Sequence, residues 1–132
     1  MRKRLSLAMK IYISGPISGI QNNNRKAFND AALTLRASDH AVINPIELDL
    51  IEPYHDYTAM LKRDIKFMMG CEAIVLLPGW ETSNGARLEV SVAKQLDMKI
   101  YRLGGTEGDT LVDVPIAFEM DITPAIPSEM WK

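Results

Sequence analysis

A chain of 132 residues, 47% hydrophobic and 24% charged, has room for one domain with one core, and its net charge of −2 carries no electrostatic signature for a nucleic-acid partner. No apolar run approaches the roughly 18 residues needed to span a bilayer. The single cysteine, Cys71, excludes an intrachain disulfide framework and suits a reducing, cytoplasmic setting.

The basic opening MRKRLSLAMK lacks the long apolar stretch and cleavage site of a signal peptide, so residues 1–9 read as an extension ahead of the fold. Lys10–Ser14 (KIYIS) is β-branched and aromatic and ends at Gly-Pro, which predicts a first strand. Gly15–Gly19 (GPISG) is a tight loop that matches neither the P-loop nor the GxGxxG pattern. Gln21–Asn24 is polar and offers helix caps. Phe28, Ala31, Ala32 and Leu35 recur at helical spacing and predict a helix from Arg25 to about Ala37. Ala41–Asn44 reads as a second strand stopped by Pro45, and Ile46–Asp56 as an acidic loop.

Asp56 is the expected N-cap of a second helix, Tyr57 to about Met69, with Gly70 as its stop. With Tyr57 at 0°, Met60, Leu61, Phe67 and Met68 fall between about −80° and +40°. Lys62, Arg63 and Lys66 fall between about 140° and 240°, the expected solvent face, while Asp64 sits near −20°, in the middle of the apolar arc. Ala73–Leu77 (AIVLL) is an unbroken apolar strand of the kind covered on both faces. A loop, Pro78–Asn84, leads to a third helix running to about Leu96 and capped by Ser83 or Asn84. With Ala86 at 0°, Val90, Ala93 and Leu96 span about −80° to +40°, and Glu89 lies inside that arc at about −60°. Lys99–Leu103 is a fourth strand, Gly104–Asp109 a loop, and Leu111–Ile122 a fifth short strand or helical turn. The chain should then end in an irregular tail, residues 123–132.

Strands alternating with helices predict a single three-layer α/β domain over residues 10–122, flavodoxin- or Rossmann-like, with a four- or five-stranded parallel sheet. In the order 2-1-3-4 the switch point lies between the first and third strands, where the loops Gly15–Gly19 and Pro78–Asn84 meet. Glu89 sits about one helical turn beyond.

Two helices therefore each place a carboxylate, Asp64 and Glu89, within an apolar face. An unpaired buried carboxylate is costly, so both either line a cleft, where they serve as nucleophile and acid or base, or are paired with cations. Ser83, Asn84 and Gly85 stand at a helix N-terminus, which suits an anion or simple capping. Gly15, Ser18 and Gly19 could bring backbone N–H groups to the same ligand, or form a turn. Trp80 could stack on a base or cover the core. His40 and His55 have no zinc spacing, and the acidic run Glu47, Asp49, Glu52, His55 and Asp56 reads as a solvated loop rather than a metal site. Cys71 reads as core packing. No metal and no cofactor is expected.

Four segments together resemble a known superfamily, over roughly residues 9 to 103. They are KIYISGPISG at Lys10–Gly19, Asn44–Pro45, Asp64 ahead of CEAIVLLPGW, and SNGAxxE at Ser83–Glu89. The superfamily is that of the nucleoside 2-deoxyribosyltransferases and deoxynucleoside 5′-phosphate N-hydrolases. More narrowly, the chain resembles its small, phage-associated, DUF4406-like branch. The resemblance implies that Glu89 is the nucleophile on the sugar's anomeric carbon and that Asp64 protonates or orients the base. It implies chemistry parallel to retaining glycoside hydrolysis. The transferases carry Asp six residues before the nucleophile, the nucleotide hydrolases Ser, and here Ser83 stands there. The hydrolases also carry Ser and Arg two places apart in the first loop, where this chain has Pro16 and Ser18.

The expected function is hydrolysis of the N-glycosidic bond of a (deoxy)ribonucleoside 5′-monophosphate. The alternatives are a deoxyribosyltransferase that exchanges bases and a nucleotide-binding module that does not cleave. A small-molecule nucleoside or nucleotide is the expected partner, with no nucleic acid and no membrane. The resemblance also implies a homo-oligomer.

Overall fold

The computed structural model describes residues 8–116. The expected N-terminal extension, apart from residues 8 and 9, and the expected tail lie outside the described residues. So does the part of the Leu111–Ile122 stretch beyond residue 116.

Five strands form one sheet: β1 (Lys10–Ser14), β2 (Ala41–Ile43), β3 (Ala73–Leu76), β4 (Lys99–Gly104) and β5 (Thr110–Asp113), in the order β2-β1-β3-β4-β5. The first four run parallel. β5 pairs antiparallel with β4, Leu111 opposite Leu103, which corrects the all-parallel expectation. The cause is the connection: Gly105 and Gly108 take left-handed backbone in a five-residue loop, which is long enough for a hairpin and too short for a crossover.

Four helices join the strands: α1 (Arg25–Ala37), α2 (Pro45–Ile51), α3 (Tyr57–Met68) and α4 (Asn84–Gln95). The strands split their side chains by the period-2 rule. Ile11, Ile13, Ala73, Val75 and Leu77 join Phe28, Ala31, Ala32 and Leu35 of α1 in one core cluster. Tyr12, Ile74 and Leu76 join Met68 of α3 and Val90 and Ala93 of α4 in a second. The arrangement is α/β and compatible with a Rossmann-like fold. Among the described residues no helix is long and apolar enough to cross a membrane.

Two further readings of the sequence need correction. Residues 45–51 are helical rather than loop. Asn44 accepts a hydrogen bond from Ile46 N at 3.0 Å as N-cap, and Pro45 occupies the first helical position, where its missing N–H has no bond to lose. The acids expected in a solvated loop each have a defined partner. Glu47 is held by Arg36, Asp49 by Arg63 and Glu52 by Lys66, while Asp56 caps α3 through Ala59 N. Among the described residues, no group of three or more His, Cys, Asp or Glu is placed to hold a metal ion. The second correction concerns helix faces. Arg63 is buried, not solvated, and Leu96 is exposed because α4 stops one residue before it.

Asn44 ties α2 to the core. It is buried, and its amide also donates to Asn29 Oδ1 of α1 at 2.9 Å. Replacing it with Ala removes a cap and a part-buried bond to α1. Asn44→Ala should therefore lose about 2 kcal/mol in urea unfolding, and a loss below ~0.5 kcal/mol would show that α2 is held by other means.

Candidate active site

The site starts from the polar face of β1. Ile11 and Ile13 point into the α1-side core, so Tyr12 and Ser14 must point to the other face, where a buried hydroxyl needs a partner. Glu89 of α4 supplies it. Tyr12 donates to Glu89 Oε2 at 2.7 Å and Ser14 Oγ to Oε1 at 2.6 Å, so each carboxylate oxygen accepts one hydroxyl. All three side chains are buried. α4 can present Glu89 there because Ser83 fixes its start by accepting from Ala86 N at 3.2 Å. Gly85 lets α4 approach α3: a Cβ on it would lie 3.2 Å from both Leu61 Cδ2 and the Tyr57 hydroxyl.

Asp64 of α3 is also buried, and its partner is different. Arg63 Nε and Nη2 both stand 2.9 Å from Asp64 Oδ1. The same guanidinium donates to Asp49 Oδ1 at 2.8 Å and to the Glu52 carbonyl at 3.1 Å, and it lies over the Tyr54 ring. It is thereby locked between α2 and α3, which explains its burial. The fork orients Asp64 and compensates its charge.

Both carboxylates line a cavity of about 520 Å³ at the switch point between β1 and β3. Of the binding residues expected from sequence, Gly15, Ser18, Gly19, Ser83, Asn84 and Gly85 all line it. Gly15 passes so close to β3 that a Cβ there would sit 2.7 Å from Leu77 Cβ, so the loop has no room for a side chain. Asn24 does not cap α1 with its side chain. It takes left-handed backbone, as do Asn22 and Asn23, and its amide donates to the Pro16 carbonyl at 2.9 Å, closing the first loop. Trp80 is the exception among the site residues. It does not line the cavity but is half-buried against the β3–α4 core cluster, because Gly79 turns the chain before it.

Sequence reasoning misses Tyr12, Ser14, Arg63 and Tyr57. For Tyr12 and Ser14 a signal exists: two polar residues at spacing two within an otherwise buried strand share one face. Arg63 has none, since helical angle alone assigns it to solvent.

Burial is the leading cause that pushes Glu89 up to about 7; the Ser14 and Tyr12 hydrogen bonds oppose it, and the Asp64 charge adds to it. Burial also pushes Asp64 up to about 6, with Arg63 as the main opposing influence. The pair is therefore able to hold one proton near neutrality, the condition for one carboxylate to act as base or nucleophile beside an acid. Raised values carry a definite stability sign. The favourable contribution is full below the unfolded values, 4.5 for Glu89 and 3.8 for Asp64, and is lost as pH rises through about 7 and about 6. Glu89→Gln removes the ionisable group. It should be more stable than the parent by about 2–3 kcal/mol above pH 7, with the gap closing toward pH 4.5. Urea unfolding of both proteins from pH 4 to 8 reads this directly, and a gap that does not vary with pH would contradict it.

No curated protein matches the chain. The model of a family described as "Domain of unknown function (DUF4406)" matches residues 9–102, a span that includes every residue lining the cavity. The chain belongs to that family, and the polar face of β1, Asp64 and Glu89 all fall inside the part that defines it.

Proposed function

We propose that the protein is an N-glycosidase acting on a nucleoside-type substrate, built on a three-layer flavodoxin-like α/β domain. The observation that carries this reading is Glu89. It is a buried carboxylate whose two oxygens are each held by a neutral hydroxyl, facing a cavity that a second buried carboxylate shares. A carboxylate so placed is oriented without being neutralised by a cation, which suits a nucleophile. In the proposed reaction a Glu89 oxygen forms a bond to C1′ as the C1′–N bond breaks. The departing base takes a proton from Asp64, or is oriented by it. Water then resolves the glycosyl ester, and a second base would do so in a transferase. The sequence resemblance to the deoxyribosyltransferase and N-hydrolase superfamily supports the same assignment.

By resemblance, Ser83 points to a 5′-monophosphate. Its hydroxyl oxygen accepts from Ala86 N as a cap, which leaves the O–H free to donate, so capping and phosphate binding are compatible. Assembly into a homo-oligomer and a cytoplasmic setting belong to the same proposal. Leu50, Ile51, Tyr54 and Tyr57 are exposed along the α2–α3 segment, and Tyr57 also lines the cavity, which supports a partner subunit there. Cys71 is a free, buried thiol, which supports a reducing compartment.

Base release from a panel of nucleosides and their 5′-monophosphates, followed chromatographically, tests the reading. Glu89→Ala should lower release by at least about 10³-fold, and a variant as active as its parent would exclude the mechanism. Exchange of one base for a second free base, rather than release of sugar, would identify a transferase. Activity should peak where the pair holds one proton, between about pH 6 and about 7, and fall on both sides. Tyr12→Phe and Ser14→Ala each remove a donor that lowers the Glu89 pKa, so each should move the profile, and its alkaline limb first, to higher pH. A limb unmoved in both variants would show that it does not report Glu89.

A further inference from the structure

Arg63 is shared by two carboxylates on different helices. Its Nη1 donates to Asp49 Oδ1 of α2 at 2.8 Å, while its Nε and Nη2 both stand 2.9 Å from Asp64 Oδ1. Both contacts to Asp64 end on the same oxygen, so the fork leaves Oδ2 outside it. The carbonyls of Glu52 and Pro45 accept from Nη1 and Nη2 at 3.1 and 3.4 Å, which fixes the guanidinium in place. The next cation along α3, Lys66, is taken by Glu52 at 2.7 Å. One guanidinium therefore faces two acids, and with both ionised the trio carries a negative charge in excess. A proton that relieves the excess goes to the carboxylate that water stabilises less. The two differ widely in this respect: the Asp49 side chain is 40% exposed and that of Asp64 3%. Asp49 thus keeps both its charge and its hold on Arg63, and the proton falls to Asp64. Alone with Arg63, Asp64 would be an ordinary buried ion pair, ionised through the neutral range.

Resting on the N-glycosidase reading, we propose that Asp49, which does not line the cavity, is a positioning residue of the reaction: by taking up the Arg63 charge from α2 it leaves Asp64 able to hold the proton that the departing base receives. That proton passes from an Asp64 oxygen to a base nitrogen as the C1′–N bond breaks and its electron pair leaves with the base. The groups that act on Asp64 are Arg63 on its own helix, Asp49 from α2, Tyr12 from β1 and Glu89 from α4. Burial is the leading cause that raises Asp64; Arg63 opposes it, the Asp49 charge adds to it, and a Tyr12 hydrogen bond lowers it. Removing the Asp49 charge therefore moves Asp64 down, by a modest amount because solvent reaches Asp49.

Asp49→Asn keeps an oxygen for Arg63 Nη1 and removes the charge. Carboxyl-carbon NMR on the full chain with labelled aspartate, the Asp64 signal assigned from Asp64→Asn, follows the titration without any substrate. Asp64 should titrate lower in Asp49→Asn than in the parent by at least about 0.5 pH unit. The acid limb of the base-release profile should move to lower pH with it, while the alkaline limb stays near its parent position. Asp49→Glu should restore both readings. Glu52→Gln removes a neighbouring acid whose side chain pairs with Lys66 instead of Arg63, and should leave the Asp64 titration unmoved. Asp49→Ser removes the same charge with a smaller side chain and should repeat the shift, so a folding defect in one variant does not hide the result. An Asp64 titration that stays in place when the Asp49 charge is removed overturns the proposal, and so does one that moves while the acid limb does not. Absence of base release from the parent removes the glycosidase reading and the reaction role with it, and the titration then still upholds or overturns the control of Asp64 by Asp49.

Discussion

The contact on which the rest of this structure depends is the meeting of the Glu89 carboxylate with two hydroxyls of β1. It joins residues 75 and 77 positions apart in the chain, at 2.6 and 2.7 Å, and it does so inside the protein. A carboxylate buried without those donors would cost several kcal/mol. The polar face of β1 is likewise intelligible only through Glu89, because two hydroxyls in a buried strand need an acceptor. Everything around the contact serves its placement. Ser83 sets where α4 begins, Gly85 lets it settle against α3, and Gly15 clears the end of β1 against Leu77. Burial that keeps solvent from Glu89 is also what raises its pKa, so the same packing that makes the site also makes it a weak point of the fold at high pH.

Much of this is legible in the amino-acid order. Strand, helix and switch-point assignments rest on strong local signals: AIVLL for β3, the Phe28–Leu35 stripe for α1, Asp56 and Ser83 as caps. The angular position of Asp64 and Glu89 within apolar arcs singles out both carboxylates from the sequence alone, because an acid there needs a cleft or a buried partner. The six cavity-lining loop and helix-start residues follow from topology, since a parallel sheet opens its crevice where the chain reverses direction.

What is not legible depends on partners distant in sequence. Arg63 occupies the polar side of an isolated α3, and only α2 converts that side into interior. α2 itself reads as a loop, since seven residues are too few to show helical periodicity and Pro45 looks like a strand stop rather than a first helical residue. Asn44 resolves both points, but as a cap its side chain is recognisable only once the helix is known. The direction of β5 is hidden for a related reason. Strand propensity is the same in either direction, and the length of the connection decides. Trp80 is a different case. Its size and its place in a site loop suggest a stacking platform or a cover for the core, and with left-handed backbone at Gly79 before it the residue packs against the core.

Two buried carboxylates in one cavity would be nearly equivalent if their partners were alike. Here the partners differ in kind. Asp64 has a guanidinium, which favours its ionised form; Glu89 has two neutral hydroxyls, which favour it less. Burial raises both, to about 6 for Asp64 and about 7 for Glu89, against the opposing influence of those partners. Tyr12 couples the two, since its hydroxyl donates to Glu89 and also lowers Asp64, so the pair titrates as one system rather than as two residues. The fold thus separates two jobs in its carboxylates by their neighbours. Arg63 anchors Asp64 to the scaffold through α2, and the β1 hydroxyls aim Glu89 without fixing its charge.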